Sequence, residues 1–599
     1  MLKAKTNLLQ KACLFLTEKQ VGDAKLWDKL VDQFRTRPDK TGEYRGEYWG
    51  KIMRGAALIC EYTQDEELYA VLEQTTKDML SCCTEEGITS YRAGDEFTGW
   101  DLWCRKYVAV GLEYFFNICK SEDLKKEILR VLKTHLLAIA KYIGSEPGKK
   151  NICDASNYWG GLNSCSILKA YLVAYKLTGE EKLLDFAKYI VSTGGSKDFN
   201  FIQAAKDDIP LCSYTYPKAY EATSFFEGLI EYGKLTGDED ILRACKNYGK
   251  SLLKEEYTVV GSGACACECF NYSAVSQTYP RVMPEQETCV TVSYMLYFNK
   301  LYELTGESVY LDAMEKSFFN AYLGALNETA PEKTVLPIDR YSPLVGGKRN
   351  NFITAGRQRF ADGSFYSCCT AIGPAGAGVY AKRSVEVNGD DVRFNFYDNR
   401  TVRLDNFSIL EKTDYPTDGA VRLNFLGEKR KLTLTFRIPA WCKEYSLTIN
   451  GKAADVDKKN NALTFAETLG DGDEMVLDLK MEYGCEYRAT GRFLGGFLTF
   501  RKGPLVYAAD KRHTKILQPF PLISQHEPKF DFSYEQQKTS DCIDSVVVRY
   551  RNKELKLIDY ASAGDTYDWG SSLNVFVPYR TRRIDNVIAC YFDRRHNII

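Results

Sequence analysis

A repeated pattern of helix ends and helix starts along the first half of the chain restricts most strongly what this sequence can fold into. An apolar-faced helix ends at Leu-Thr-Gly and an acidic residue opens the next helix in three segments, at 175–190, 232–249 and 301–322. Glycine ends a helix readily, and acidic side chains favour the positive N-terminal end of the next one. Such helical hairpins expose apolar faces, so they close into a ring or stack as an open solenoid. We predict the ring, an (α/α)6 barrel of six hairpins, for residues 1–384.

The hydrophobic period changes at about Val385, where strict alternation of apolar and polar residues replaces the helical spacing. The alternating segments lie at 391–404, 430–441, 474–483 and 572–580. Alternation with β-branched and aromatic residues is typical of half-buried strands, and Asn450-Gly451 marks a hairpin turn. A chain of 599 residues also exceeds one hydrophobic core. We therefore predict an α+β multidomain protein, in which the barrel precedes one β-sandwich domain at 385–486 and a second at 487–599.

Charge and hydropathy argue against two classes of partner. The 79 Lys+Arg and 80 Asp+Glu give a net charge of -1, which attracts neither nucleic acid nor an anionic lipid surface. No run of about 20 uncharged apolar residues occurs, so we predict neither a membrane span nor a signal peptide. We expect a cytoplasmic protein. Its 40 Tyr, 31 Phe and 7 Trp serve either large cores or the stacking of flat, hydroxylated ligands.

Twenty cysteines need an explanation in a reducing compartment, where thiols serve as core residues, metal ligands or nucleophiles. Cys368-Cys369 are neighbours, and adjacent Cα atoms lie ~3.8 Å apart, below the ~4.4–6.8 Å that a disulfide spans. Such a pair can clip a metal, and one further thiolate with a carboxylate would complete a tetrahedral Zn2+ site. Cys289 and Glu287 could supply that thiolate and that carboxylate. The alternative is that these thiols are core residues, as expected for the vicinal pair Cys82-Cys83.

A second candidate is the glycine- and cysteine-rich segment 261–272, in which Cys265, Cys267 and Cys269 alternate around Glu268. In an extended conformation the cysteines share one face and Glu268 lies on the other. A carboxyl in such a place acts as a general acid where burial raises its pKa. Two alternatives stay open: Glu268 is an ordinary solvated side chain, or the cysteines bind a metal, although their spacing matches no common zinc finger.

Several motifs resemble those of glycoside hydrolase family 127, typified by β-L-arabinofuranosidase. The resemblance rests on Glu-Thr-Cys at 287–289 and on Phe-Tyr-Ser-Cys-Cys at 365–369, which are specific in combination. Further segments that resemble the family's barrel and sandwich motifs lie at 100–115, 218–237, 316–329, 436–452 and 500–510. The resemblance implies an (α/α)6 barrel followed by β-sandwich domains, which agrees with the change of period.

The resemblance also implies a site and an activity. It assigns Zn2+ to Glu287, Cys289, Cys368 and Cys369, with Cys368 as the nucleophile and Glu268 as the acid/base. Glu268 is the loosest match, because a cysteine replaces the glycine that precedes the family's glutamate. The implied activity is that of a retaining exo-glycosidase that releases a terminal L-sugar from an imported oligosaccharide. A homodimer is a further expectation.

The sequence departs from the family pattern in the expected sugar pocket. Where family arabinofuranosidases carry histidines, this chain has Arg105, Lys106 and Lys218. Because cationic side chains can grip a carboxylate, we hypothesise an acidic or branched L-sugar as the substrate rather than plain arabinofuranose. In the alternative, Arg105 and Lys106 are structural ion-pair partners of Asp101 or Glu113.

Other residues and functions remain open at this point. Asn157 and Trp159, in the segment Asn-Tyr-Trp-Gly-Gly, line the pocket or simply pack at the start of a helix. A rival enzyme would be a barrel hydrolase or lyase that uses only carboxylates, with Asp101, Asp154 or Glu221 as candidates. A second rival is a non-catalytic sugar-binding protein in which zinc braces the fold.

Overall fold

Helices occupy the N-terminal part of the protein and strands the C-terminal part. The computed structural model describes residues 7–278, 285–328, 336–338, 341–344, 356–454, 456, 458–489, 495–514, 520–521, 531–537, 539–564 and 573–580. Its α-helices are α1 (Leu8–Leu16), α2 (Ala24–Thr36), α3 (Glu47–Thr63), α4 (Glu66–Ser81), α5 (Asp101–Ile118), α6 (Glu122–Tyr142), α7 (Leu162–Cys165), α8 (Leu168–Thr178), α9 (Glu181–Ser192), α10 (Phe201–Lys206), α11 (Ala219–Thr236), α12 (Glu239–Ser251), α13 (Ser273–Ser276), α14 (Thr288–Thr305), α15 (Ser308–Ser317), α16 (Leu323–Ala325) and α17 (Cys368–Ser384). Among the described residues, no helix has the length and apolar character that a membrane span requires.

Six inner helices form a closed ring. α3, α5, α8, α11, α14 and α17 contact one another in this order, and α17 also packs along α3, which closes the ring. α4, α6, α9, α12 and α15 each pack outside the inner helix that precedes them, while α1 packs outside α17. The inner helices are therefore apolar over much of their surface; in α3, all fourteen residues from Glu47 to Cys60 are buried. The predicted (α/α)6 barrel is confirmed, and the open solenoid is excluded.

One end of the barrel, which we call the turn end, consists of tight connections. Gly179, Gly237 and Gly306 end α8, α11 and α14 with φ of 68°, 71° and 69°. This is the left-handed conformation that glycine adopts without a steric penalty. Asp238 then caps α12, because its carboxylate accepts a hydrogen bond from the Ile241 N–H at 3.0 Å. The repeated Leu-Thr-Gly pattern thus marks the turns as predicted.

The opposite end, which we call the loop end, is where all six inner helices begin. Long segments lead into them, such as residues 82–100, 252–287 and 326–367. These segments carry the two-stranded pairings of β1 (Glu285–Glu287) with β2 (Tyr341–Pro343) and of β3 (Arg357–Arg359) with β4 (Phe365–Ser367). Each pair delivers the chain to the first residue of an inner helix, α14 or α17.

Two sheets follow directly after α17. The strands are β5 (Val385–Asn388), β6 (Asp391–Phe394), β7 (Arg400–Leu404), β8 (Phe407–Thr413), β9 (Ala420–Leu426), β10 (Arg430–Arg437), β11 (Tyr445–Ile449), β12 (Lys452–Ala453), β13 (Lys458–Lys459), β14 (Ala462–Leu469) and β15 (Glu474–Leu479). They form a five-stranded sheet in the order β13-β14-β10-β6-β5 and a six-stranded sheet in the order β12-β11-β15-β9-β8-β7. Alternate residues of both sheets, such as Phe394, Phe436 and Phe425, are buried in one core, which is the pattern of a β-sandwich. Asn450 and Gly451 form the predicted turn with φ of 51° and 75°.

The last strands form one further sheet. They are β16 (Tyr483–Ala489), β17 (Gly495–Lys502), β18 (Leu505–Asp510), β19 (Phe520–Pro521), β20 (Ser533–Gln537), β21 (Ser545–Tyr550), β22 (Lys553–Asp559), β23 (Leu573–Asn574) and β24 (Val577–Arg580). Within the described residues these nine strands belong to a single sheet. The predicted domain limit at 486/487 would cut through β16, whose partner is β17. We therefore propose that the third unit begins before Tyr483, while the limit at 384/385 stays a prediction.

Candidate metal centre and active site

Four side chains from two inner helices converge at the loop end of the barrel. Glu287 is the last residue of β1 and the residue before α14, and Cys289 is the second residue of α14. Cys368 and Cys369 are the first two residues of α17, which Ser367 caps by accepting a hydrogen bond from the Thr370 N–H at 3.1 Å. Since α14 and α17 are neighbours in the ring, residues eighty positions apart in sequence meet at two adjacent helix N-termini.

The ligand atoms of this group lie in a compact arrangement. The four atoms are all within 4.8 Å of one another. Cys369 Sγ lies 3.4 Å from Cys289 Sγ, 3.9 Å from Cys368 Sγ and 3.5 Å from Glu287 Oε1. Around Zn2+ with bonds of about 2.3 Å to sulfur, the edges of a tetrahedron measure about 3.8 Å. The donor set and its spacing therefore fit one tetrahedral divalent cation.

An orphaned oxygen supports the same interpretation. Glu287 is buried, and its Oε2 has no hydrogen-bond partner among the described residues. A buried carboxylate oxygen without a partner is costly unless a cation or a donor occupies the adjacent space. Burial raises the pKa of Glu287 well above its usual range, which a bound cation would reverse. The donor atoms of the four residues, their spacing and the unpartnered oxygen therefore fit a metal site.

Cys368 differs from its two thiol neighbours in charge and in access. Hydrogen bonds from the Cys289 and Cys369 thiols hold the pKa of Cys368 well below its usual range, and the ammonium groups of Lys51 and Lys218 act in the same direction. Burial raises the pKa of both Cys289 and Cys369. Cys368 is also partly exposed, whereas the other two are buried. Cys368 is therefore the cysteine of the cluster that ionises most readily, and the thiolate is the reactive form of a cysteine.

A cavity of about 170 Å³ lies directly against the Cys368 side chain. The lining residues are Tyr44, Glu47, Lys51, Trp100, Trp103, Trp159, Lys218, Tyr220, Glu221, Glu268, Glu287, Gly356 and Cys368. The mixture of aromatic rings and a few polar groups is the usual composition of a small-ligand site. Its walls come from the first turns of the inner helices and from the loop-end segments that precede them.

Glu268 enters the cavity from a tight turn. Cys267 and Glu268 have φ of 51° and 67°, and the Cys269 N–H donates to the Ala266 carbonyl at 3.0 Å. The extended conformation predicted for this segment is therefore wrong. The Glu268 carboxylate accepts hydrogen bonds from the Lys218 ammonium and the Tyr341 hydroxyl. A backbone in the left-handed region at a non-glycine residue is costly and persists where the surrounding contacts hold it.

Two of the predicted substrate-binding residues, Lys218 and Trp159, line the cavity. Lys218 Nζ lies 5.1 Å from the centre of the Trp159 indole ring, within the range of a cation–π contact. Burial would lower the pKa of Lys218, but the carboxylates of Glu221 and Glu268 raise it above its ordinary value. Asn157, two residues before Trp159, is exposed and does not belong to the lining.

Arg105 and Lys106 lie elsewhere in the barrel wall. The Arg105 guanidinium forms a buried ion pair with Asp101 at 3.0 Å and donates to the Glu86 carbonyl. Lys106 is also buried, does not line the cavity, and donates to the hydroxyls of Ser224 and Ser166. Consecutive helical residues point about 100° apart, so the two side chains point in different directions. Arg105 pairs with Asp101, as in the alternative that the sequence left open, and neither residue lines this cavity.

The carboxylates of the rival interpretation are also separated. Asp101 is wholly buried, where it accepts from Thr89 at 2.6 Å and pairs with Arg105. Asp154 forms a partly exposed ion pair with Lys197 at 2.7 Å. Of the three candidates, Glu221 lines the cavity, whereas Asp101 and Asp154 do not.

Sequence reasoning gave no role to Lys51, which lines the cavity, or to Tyr341, which binds Glu268. Lys51 pairs with Glu47 at 3.0 Å on one face of α3, and burial raises the pKa of Glu47 to about 7. The spacing Glu47, Lys51 and Arg54 on a helix that is otherwise apolar could have marked this axial face. Tyr341 gave no such signal, because its position depends on the pairing of β2 with β1.

Comparisons with known proteins agree with this architecture. The profile described as Beta-L-arabinofuranosidase, GH127 catalytic domain matches residues 3–368. The chain belongs to glycoside hydrolase family 127. The profile of the GH127 middle domain matches residues 391–481, which contain most of the β-sandwich. The family 127 match therefore spans both the barrel and the first β-domain.

Individual relatives of this family 127 member are distant. A non-reducing end beta-L-arabinofuranosidase of Bifidobacterium longum subsp. longum is 23% identical over 389 residues, 56% of each chain. The chain thus spans about half the length of this curated relative. A GH127 beta-L-arabinofuranosidase from Geobacillus stearothermophilus T6 has a similar structure, with a TM-score of 0.69 at 17% identity over 92% of this chain and 94% of that one. Another GH127 beta-arabinofuranosidase gives 0.68 at 16% identity, over 98% and 95% of the two chains. These likenesses support the fold.

Proposed function

We propose that the protein is a retaining exo-glycosidase that releases a terminal β-L-arabinofuranose-like sugar from an oligosaccharide. The observation that carries this proposal is that Cys368, at the N-terminus of α17, lines the same cavity as Glu268. Retaining glycosidases need a nucleophile and an acid/base group on either side of the scissile bond. Here a thiolate takes the place of the second carboxylate. The arabinofuranosidase activity named for the relatives supports the choice of sugar.

The two residues perform two displacements in turn. Cys368 Sγ attacks the anomeric carbon, and the bond between that carbon and the leaving oxygen breaks as Glu268 donates its proton to the oxygen. Glu268 then takes a proton from water, the water oxygen attacks the same carbon, and the carbon–sulfur bond breaks. Two inversions give net retention. Lys218 and Tyr341 orient the Glu268 carboxylate between the two steps.

Glu287, Cys289, Cys368 and Cys369 would hold Zn2+ in this proposal. When bound, the cation supplies positive charge that keeps the surrounding thiols ionised near neutral pH. The positive ends of α14 and α17 act in the same direction without any metal. Cys289 and Cys369 do not line the cavity and contact Cys368, so they fix the position of the nucleophile.

The shape of the cavity favours the removal of single sugars from a chain end. A space of about 170 Å³, enclosed by the loop end of a barrel, accommodates one sugar ring rather than a polymer that passes through. A terminal residue of an oligosaccharide is therefore the proposed substrate. The cytoplasmic location and the homodimer remain predictions.

Replacement of Cys368 tests the proposal directly. We expect Cys368→Ser to lower kcat on 4-nitrophenyl β-L-arabinofuranoside by about 10⁴-fold or more, since loss of a nucleophile has effects of that size. Metal analysis of the purified protein should give one zinc per chain in the wild type and less in the variant. Cys83→Ser, in the other vicinal pair and also partly exposed, is the matched control and should retain both activity and zinc. Wild-type turnover in Cys368→Ser would contradict the proposal and favour a carboxylate-only enzyme, whereas binding without turnover in the wild type would favour a sugar-binding protein.

A further inference from the structure

Apart from Glu287, which belongs to the candidate metal centre, the charged side chains that line the cavity are paired within the described residues, with one exception. Glu47 is bound by Lys51 at 3.0 Å and also accepts from the Trp103 indole. Glu268 is bound by Lys218 and Tyr341. The remaining carboxyl is that of Glu221, which lines the cavity while its residue is 4% exposed.

Glu221 has an unused hydrogen-bonding atom. Its Oε2 lacks any hydrogen-bond partner in the part of the chain that the structure describes, and burial raises the pKa of the group. A buried carboxyl oxygen without a hydrogen-bond partner costs about 1–3 kcal/mol or more. Such a cost persists at a functional site where a ligand supplies the missing partner.

A neighbour restricts what that partner can be. Lys218 precedes α11, in which Glu221 is the third residue, and the charge of the Glu221 carboxylate contributes most to raising the pKa of Lys218. A carboxylated sugar at this place would be repelled by Glu221, and an ammonium group would be repelled by Lys218. A neutral hydroxyl meets neither penalty.

We propose that Glu221 is a specificity-determining residue, whose carboxyl forms a hydrogen bond with one ring hydroxyl of a neutral, terminal sugar. The inference rests on the proposed function and narrows it, because it selects a neutral glycofuranoside over the acidic sugar that the sequence suggested. Arg105 and Lys106, two of the three cations behind that suggestion, lie outside the cavity, and Lys218 is already paired with Glu268. A site built to bind a hydroxyl rejects the deoxy analogue by as much as about 10⁴-fold.

The test compares kcat/KM of the wild type and of variants on a set of related substrates. The substrates are 4-nitrophenyl β-L-arabinofuranoside, its 2-, 3- and 5-deoxy analogues and the analogue oxidised to a carboxylate at C5. In the wild type, we expect removal of one particular hydroxyl to lower kcat/KM by about 10²–10⁴-fold, and the carboxylated analogue to be the poorer substrate. In Glu221→Ala, the parent substrate should lose a similar factor, with little further loss for that one deoxy analogue. Thermal unfolding and zinc content should match the wild type.

Glu47→Gln is the matched control, because both oxygens of Glu47 already have partners in the protein. It should lower the rates on all analogues by a similar factor. Equal additional losses for every deoxy analogue in Glu221→Ala would overturn the inference and leave the proposed function intact. If Glu221→Ala does not fold, the wild type decides alone: faster hydrolysis of the carboxylated analogue than of the neutral parent overturns the inference.

Failure of the proposed function gives a different result. In that case the wild type hydrolyses none of the arabinofuranosides. The same comparison is then made by calorimetry on the binding of L-arabinose and its deoxy forms to wild type and Glu221→Gln. A loss confined to one deoxy position supports the inference, whereas equal losses or no binding overturn it.

Discussion

The two ends of the barrel are built from the same six inner helices and differ in almost every other respect. At the turn end, α8, α11 and α14 each reach the next helix through two residues, the first of which is a glycine. At the loop end, long segments with short strands lead into the first turns of the inner helices. The tight connections leave no room for a site, whereas the long segments bring side chains from distant parts of the sequence together.

The chemistry follows the direction of the inner helices. Their N-termini carry partial positive charge and free backbone N–H groups, so they stabilise anions such as thiolates and carboxylates. Cys289, Cys368 and Cys369 lie in the first turns of α14 and α17. At the turn end, where the helices end in partial negative charge, the same residues would be less acidic. One end therefore holds the barrel together, and the other contains the proposed active site.

The first experiment neutralises one acidic side chain at each end of the barrel and compares the effects on kcat/KM. Glu268→Gln, at the loop end, should lower kcat/KM on a natural oligosaccharide by about 10²–10⁴-fold, the usual contribution of a general acid/base. The loss in the first step should be smaller for 4-nitrophenyl glycosides, because that leaving group needs little protonation. Pre-steady-state kinetics with both substrates would measure this difference.

Glu239→Gln is the control for this experiment. Glu239 is an exposed acid in the first turn of α12 at the turn end, and its loss should leave kcat/KM unchanged within about twofold, as surface substitutions usually do. Equal effects of the two variants would contradict both the role of Glu268 and the functional division between the ends.

A second experiment makes the same substitution at both ends, beginning with Gly356→Ala at the loop end. Gly356 has φ of 69°, and an added Cβ would lie 2.8 Å from Cys368 Sγ. The methyl group must displace the nucleophile, and a shift of about 1 Å at a reacting atom costs about 10²-fold in rate. We expect kcat to fall by that factor on the 4-nitrophenyl substrate. A full wild-type rate would show that Cys368 does not need its present position.

The sequence predicted the turn end better than the loop end. The turns depend on the local sequence, whereas the site depends on how residues far apart in the chain come together. Leu-Thr-Gly needs nothing beyond its own hairpin, so Gly179, Gly237 and Gly306 ended helices as predicted. We predicted that Cys289 and Cys368 lie close together, because a vicinal cysteine pair and a Glu-x-Cys motif suit one cation and because the family resemblance implies it. Their convergence in space could not follow from spacing alone, because it depends on how α14 and α17 neighbour each other in the closed ring.

The sugar-facing residues were the weakest part of the prediction for a related reason. Inner helices are buried on all sides, so α5 has no polar face from which to infer its orientation. Trp103 lines the cavity, but Arg105 binds Asp101 and Lys106 binds Ser166. The turn of Glu268 was missed as well, because Cys267 and Glu268 adopt a left-handed conformation that composition favours only for glycine or asparagine.

Gly237→Ala completes the comparison with the smallest expected effect. Gly237 has φ of 71°, close to that of Gly356, but an added Cβ would meet nothing within 4 Å. The cost is therefore that of the left-handed backbone alone, about 1 kcal/mol in the free energy of unfolding, with kcat unchanged. Chemical denaturation and the 4-nitrophenyl assay on the same preparation measure both quantities. Gly179→Ala and Gly306→Ala, which have the same open surroundings, should repeat the result. A loss of activity in these variants without loss of the fold would mean that the turn end is coupled to the site through the inner helices, and the two ends would then no longer be independent.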